Sequence, residues 1–95
     1  MTIRWRRPAL IDLVAVRAFI GRENRRAAAT VAKRIRESVA RLADFPALGR
    51  PGRVPGTREL VVEGTPYIVA YRAVGNSVEI LRVLHGARRW PDPIE

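Results

Sequence analysis

A chain of 95 residues bounds this protein to one small domain with a single core, taken here as residues 1–95. It has no cysteine, which excludes disulfides and zinc–thiolate sites, and no run approaches the roughly 20 apolar residues of a membrane span. Eighteen basic against nine acidic side chains give a formal charge of +9, a field that attracts polyanions: nucleic acid, a ribosome or an acidic protein segment. Seventeen of those basic residues are arginine and only Lys33 is lysine, a preference that a GC-rich genome produces by itself. The N-terminus carries charge, but the apolar stretch after it is interrupted by Asp12, so no secretory leader is expected and the chain reads as cytoplasmic.

Ile3-Arg4-Trp5-Arg6 alternates apolar and basic residues, which predicts a short strand with one buried face. Pro8 suits the first turn of a helix, where its missing N–H costs nothing. Leu10, Ile11, Val14 and Ala18 then recur at helical spacing, with Leu13, Val16 and Ile20 on an adjoining stripe. Asp12 is placed in the first turn, where a carboxylate favours the helix dipole, and Gly21 ends the run. Asn24 predicts an N-cap for a second helix. That helix puts Ala28, Val31, Ala32, Ile35, Val39 and Leu42 on one face and Arg25, Arg26, Lys33, Arg36, Glu37 and Arg41 on the other. The short link between the helices implies an antiparallel hairpin.

Residues 46–56 read PALGRPGRVPG, with three prolines and three glycines, and predict an exposed irregular loop. Three strands follow: residues 58–63, residues 67–72, and residues 78–85 after a Gly75-Asn76 turn. Alternation sets Tyr67, Val69 and Tyr71 on one face of the second, with Ile68 and Ala70 on the other. The third is longest and least interrupted, and is expected at the centre. Helices and strands in blocks define an α+β class, an antiparallel sheet packed against an N-terminal helical hairpin in the order β-α-α-β-β-β.

One histidine and scattered carboxylates make no metal set, and no Gly-rich phosphate loop or Ser–His–Asp spacing is present. No cofactor is expected. Glu59, Glu63 and Glu79 would serve as bases only if paired in a cleft, and surface charge balancing arginines is the simpler reading. His85, the one side chain titrating near neutrality, ends the last strand just before Arg88 and Arg89. Such a group suits phosphodiester cleavage; a histidine that hydrogen-bonds the strand end and anchors the tail explains it equally. Arg58, Arg72, Arg82, Arg88 and Arg89, interleaved with Tyr67, Tyr71 and Trp90, suit either phosphate contacts with base stacking or a protein interface. Both tyrosines also fit a core.

The order of these pieces resembles the RelE/ParE toxin family. The matching residues are Pro8, the run Phe45-Pro46-Ala47-Leu48-Gly49-Arg50, then Arg58-Glu59-Leu60, the strand Tyr67-Ile68-Val69-Ala70-Tyr71-Arg72, and Val78 through Val83 leading into His85-Gly86-Ala87-Arg88-Arg89. Such a resemblance implies a toxin partnered by a cognate antitoxin. RelE-like members cleave mRNA in the ribosome without metal, using basic residues of the meander and tail; ParE-like members inhibit DNA gyrase. Where the nucleases place an arginine after the middle-strand tyrosine, this chain has Ile68, and Glu59 and Val61 occupy the preceding strand where they are basic. The resemblance therefore points to the ParE branch, with no catalytic residues and DNA gyrase as partner. Expected target contacts are Arg58, Tyr71, Arg72, His85, Arg88, Arg89 and Trp90, and the expected antitoxin floor is Val14, Ala18 and Val31. The alternatives are a ribosome-dependent endonuclease using His85, Arg82 and Arg88, with ribosome and mRNA as partners, and a non-toxic binding module of the same fold. No membrane or small-molecule partner is expected.

Overall fold

Seven elements form, in the order β1 (Thr2–Trp5), α1 (Arg7–Gly21), α2 (Arg25–Arg41), β2 (Arg50–Pro51), β3 (Arg58–Val61), β4 (Tyr67–Val74) and β5 (Ser77–His85). This computed structural model describes residues 1–88 together with Trp90 and Pro91. α2 starts where Asn24 Oδ1 accepts the N–H of Ala27 at 2.9 Å. Its face of Ala28, Ala32, Ile35, Val39 and Leu42 is buried, and Val31 is half-buried at the edge. α1 divides its two apolar stripes. Leu13, Val16 and Ile20 pack on the core, whereas Leu10, Ile11 and Val14 stay outside, Val14 being 69% exposed.

The sheet has the strand order β1-β5-β4-β3-β2. Strands β3 to β5 pair antiparallel as expected and β2 adds to β3 in the same sense, while β1 lies parallel to β5, with Ile3 opposite Val78 and Trp5 opposite Ile80. The central strand is β4 and not the longer β5, a correction with a clear cause. Tyr67 through Tyr71 are buried without interruption on both faces, and only a middle strand is covered that way. Tyr67, Val69 and Tyr71 join Ile35, Val39 and Leu42 in the main core. Gly75 turns β4 into β5 with φ +58°, a conformation glycine adopts without steric cost.

The Pro/Gly-rich segment is not wholly an exposed loop. Arg50 and Pro51 pair with Glu59 and Arg58 as a two-residue edge strand, and Gly49 is buried. A Cβ on Gly49 would stand 2.8 Å from the Tyr71 hydroxyl and 2.9 Å from the Glu59 carbonyl oxygen, so only glycine fits. The same contact explains Tyr71. Its hydroxyl accepts the Gly49 N–H and donates to the Pro46 carbonyl, both at 2.8 Å, and thereby fastens the segment to the sheet.

β1 covers β5 only as far as Ile80, whose carbonyl takes the Arg6 N–H before the chain turns into α1. Past that point α1 finishes the edge. Asp12 Oδ2 accepts the Val83 N–H at 2.9 Å and the Arg82 Nε–H at 2.6 Å, while Oδ1 accepts from Arg82 at 3.0 Å. Asp12 is thus the sixth residue of α1, beyond its first turn, and its partner is a strand edge and not the helix dipole. A register shift opposite Ala70 and Tyr71 leaves Leu81 unpaired just before Arg82.

Candidate functional site

The C-terminal end of β5 gathers the side chains that chemistry would need, and the fold ties most of them down. His85 is exposed at the strand end, edge-to-face with Tyr67 at 5.8 Å between ring centroids. Its Nδ1 accepts the Ala87 N–H at 3.1 Å, so in the neutral ring the proton sits on Nε2, which points away from this turn. The His85 carbonyl accepts the Arg88 N–H at 2.9 Å, and the Gly86 N–H donates to the Pro66 carbonyl at 2.7 Å. His85 therefore does organise the start of the tail. Beside it lies a small hollow of about 190 Å³, lined among others by Asp12, Phe19, Leu84 and Arg88.

The tail is also held from the loop. Arg53 donates through its guanidinium to the carbonyls of Arg88 at 2.7 Å and Gly86 at 3.3 Å. Arg53 is itself set by Glu59, whose Oε2 accepts the Arg53 backbone N–H at 3.0 Å and whose Oε1 lies 3.3 Å from Arg53 Nε and 3.5 Å from an Arg50 guanidinium nitrogen. The Glu59 side chain is only 1% exposed. It is neither a surface charge nor a base in an open cleft but the buried post of this loop-to-tail link.

Not all of the expected target residues reach the surface. Tyr71 is wholly buried, and burial pushes its hydroxyl pKa up, against the lowering effect of the Gly49 hydrogen bond and the Arg58 charge. It has no face to offer a target, which corrects the sequence expectation. Arg58 donates to the Gly49 carbonyl at 2.8 Å. Arg72 donates to Glu79 at 2.9 Å, with Arg6 3.6 Å from the other oxygen; that hydrogen bond, with the charges of Arg72, Arg6 and Arg4, holds the Glu79 carboxyl below its usual value. Arg82 faces Asp12. His85 and Arg88 do share the small hollow at the strand end. Trp90 is half-buried, with no acceptor for its indole N–H among the described residues, and Arg89 lies outside those residues. Glu63 is exposed. Among the described residues no three His, Asp or Glu side chains converge as metal ligands, and no helix is long and apolar enough to cross a membrane.

The three expected antitoxin residues also fall in different places. Val14 belongs to an apolar patch with Leu10, Ile11 and the stem of Arg7. Ala18 lies in a hollow at the α1–α2 turn, and Val31 borders another beside Arg26, Arg34 and Gly64. Sequence reasoning missed the Asp12–Arg82 pair and the Glu59–Arg53 post. A signal for the first was present: an acid at helical spacing from Ala9 and Val16, residues of the packed face. Nothing local marked Glu59, because its burial depends on a loop that returns from outside the strand.

The family described as ParE toxin of type II toxin–antitoxin system, parDE, matches residues 3–90. The Y4kP protein of Sinorhizobium fredii is 47% identical over 89 residues, spanning 94% of this chain and 92% of its own. Toxin RelE2 of Caulobacter vibrioides is 38% identical over 84 residues, spanning 88% and 93%. A solved chain of the chromosomal ParDE toxin–antitoxin system from P. aeruginosa superposes with a TM-score of 0.82 at 31% identity, covering 90% of this chain and 95% of that one.

Proposed function

Because the chain belongs to the ParE toxin family of type II toxin–antitoxin systems, we propose that it acts in the cytoplasm on DNA gyrase and is kept silent by a cognate antitoxin. One observation carries the choice of gyrase over mRNA. Metal-free cleavage of a phosphodiester needs a base, an acid and a cation preorganised at the phosphate. Here Arg82 is held by Asp12 and Arg53 by Glu59, and Ile68 is an apolar residue buried in the sheet. Each missing preorganised charge costs about 10²–10³ in rate, so a nuclease reduced to His85 and Arg88 has little left. The tail, with His85, Arg88, Arg89 and Trp90, is the target-binding element in this reading, since Trp and Arg are the usual anchors of protein interfaces. Arg58 and Arg72 contribute less, being engaged within the fold.

The antitoxin is a segment that lays an amphipathic helix on the exposed patch of α1 around Val14, its acidic side toward the surrounding arginines. Supercoiling by purified gyrase and translation by purified ribosomes, run side by side with this protein, test the reading. We expect supercoiling to stop and translation to continue, with His85→Ala close to wild type and removal of residues 87–95 severely impaired. Cleavage of mRNA in the ribosome, lost in His85→Ala, would overturn it.

A further inference from the structure

The turn between α1 and α2 forms a hollow of about 570 Å³ lined by Arg17, Ala18, Gly21, Arg22, Arg25 and Ala28. Its floor is made of small side chains and its walls are guanidinium groups. All three arginines are exposed, and among the described residues no carboxylate lies within ion-pair reach of any of them. The Arg22 guanidinium stands 5.7 Å from the Phe19 ring centroid, which orients it without neutralising it. α2 begins at the same turn, so the positive end of its dipole adds to the field. Between residues 7 and 41 there are nine basic and only three acidic side chains.

We infer that this hollow binds the phosphodiester backbone of duplex DNA. Guanidinium forks match phosphate oxygens bidentately, and several uncompensated arginines around one concavity are the arrangement that releases counterions when a polyanion enters. An acidic protein helix is the competing occupant. Such a partner needs large apolar anchors, and here Ala18, Gly21 and Ala28 offer none; Leu10, Ile11 and Val14, which do, form a separate patch nearer the start of α1. The choice of duplex over single strand rests on the gyrase reading, because a protein directed at gyrase meets its target on double-stranded DNA. The hollow thus adds a second attachment, to the DNA, beside the contact of the tail with the enzyme.

The test is fluorescence anisotropy of the full chain on a labelled duplex of about 20 base pairs, titrated at 50 to 200 mM salt. Three proteins are compared: wild type, the triple variant Arg17→Gln, Arg22→Gln, Arg25→Gln, and a control of equal charge, Arg4→Gln, Arg36→Gln, Arg41→Gln. Three phosphate contacts contribute about −2.7 to the slope of log affinity against log salt, roughly 40-fold across that range. We expect the hollow variant to lose most of this slope and the control to keep it, with neither melting below wild type. Equal losses in the two variants would overturn the site in favour of net charge alone. Unchanged duplex binding with weakened binding of an acidic amphipathic helical peptide would assign the hollow to a protein partner. Tighter binding of single-stranded RNA than of duplex, lost in the hollow variant, would overturn the choice of DNA. A supercoiling assay on the same proteins separates the two proposals: wild type that leaves gyrase untouched yet shows the arginine-dependent slope removes the gyrase reading and keeps the DNA site.

Discussion

The arginines of the sheet and those of the helical hairpin have opposite roles. On the sheet side Arg53 and Arg50 bracket Glu59, Arg58 takes the Gly49 carbonyl, Arg72 takes Glu79 and Arg82 takes Asp12. Around the hairpin turn Arg17, Arg22 and Arg25 have no acidic partner among the described residues. The first set is spent on the fold; the second is open to whatever approaches. A formal charge of +9 therefore overstates what the sheet and loop present to a partner and locates the excess on the helices. Substitutions that sharpen or break this contrast range from a large loss of stability on the sheet side to almost none on the hairpin.

The largest effect is expected at Asp12. Its carboxylate is 12% exposed and Arg82 is 19% exposed, so Asp12→Ala removes one side of a mostly buried ion pair and leaves an unpaired Val83 N–H at a strand edge. Breaking a buried pair from one side costs about 3–5 kcal/mol, and the residual exposure favours the lower end. Chemical denaturation should show a loss of about 3 kcal/mol. A loss below 1 kcal/mol would mean that water already screens this pair and that the sheet arginines are not committed as argued.

Next comes Tyr71→Phe. It removes one hydroxyl and orphans the Gly49 N–H and the Pro46 carbonyl, a cost of about 1–3 kcal/mol. The Tyr71 pKa is raised in the folded state, so the wild type should hold its stability up to the ordinary tyrosine range and lose it as pH rises toward the higher native value. The phenylalanine variant should lack that alkaline decline, which thermal melts at a series of pH values would reveal.

Much of this architecture was legible from side-chain periodicity. The buried face of α2, its Asn24 cap, the alternation of β4 and the Gly75-Asn76 turn were all readable, because local spacing alone determines them. The long-range pairings were not. That β4 is central, that β1 joins β5 in parallel and that Arg50-Pro51 forms an edge strand depend on which segments meet, which periodicity does not encode. The site was legible only in type. Tyr71 and Arg82 belong to the chemical classes a target surface would use, yet one is buried and the other is held by an acid 70 residues away in sequence.

Glu79 gives a smaller effect. Arg72 is 49% exposed, so solvent screens the pair and Arg72→Gln should cost little stability. Because the Glu79 pKa is lowered, its contribution is complete above the ordinary carboxylate range and disappears as pH falls through the lowered native value. Arg72→Gln should flatten that acidic limb of the stability profile. An unchanged limb would transfer the effect to Arg6.

The smallest change is expected at the hairpin, and it is the one most diagnostic of the contrast. Arg17, Arg22 and Arg25 are exposed and make no ion pair among the described residues, so replacing all three by glutamine removes no stabilising contact beyond the loose Arg22–Phe19 stacking. It does remove mutual repulsion between like charges on neighbouring turns, worth a few tenths of a kcal/mol per pair at low salt. The triple variant should therefore melt at or slightly above the wild type in dilute buffer. Salt at about 1 M shortens the Debye length to roughly 3 Å and should erase the difference. Asp12→Ala should keep most of its loss in the same salt, because its pair is mostly shielded from solvent. If the glutamine variant instead melts well below wild type, these arginines brace the hairpin, and the division between committed and open guanidinium groups fails at its clearest point.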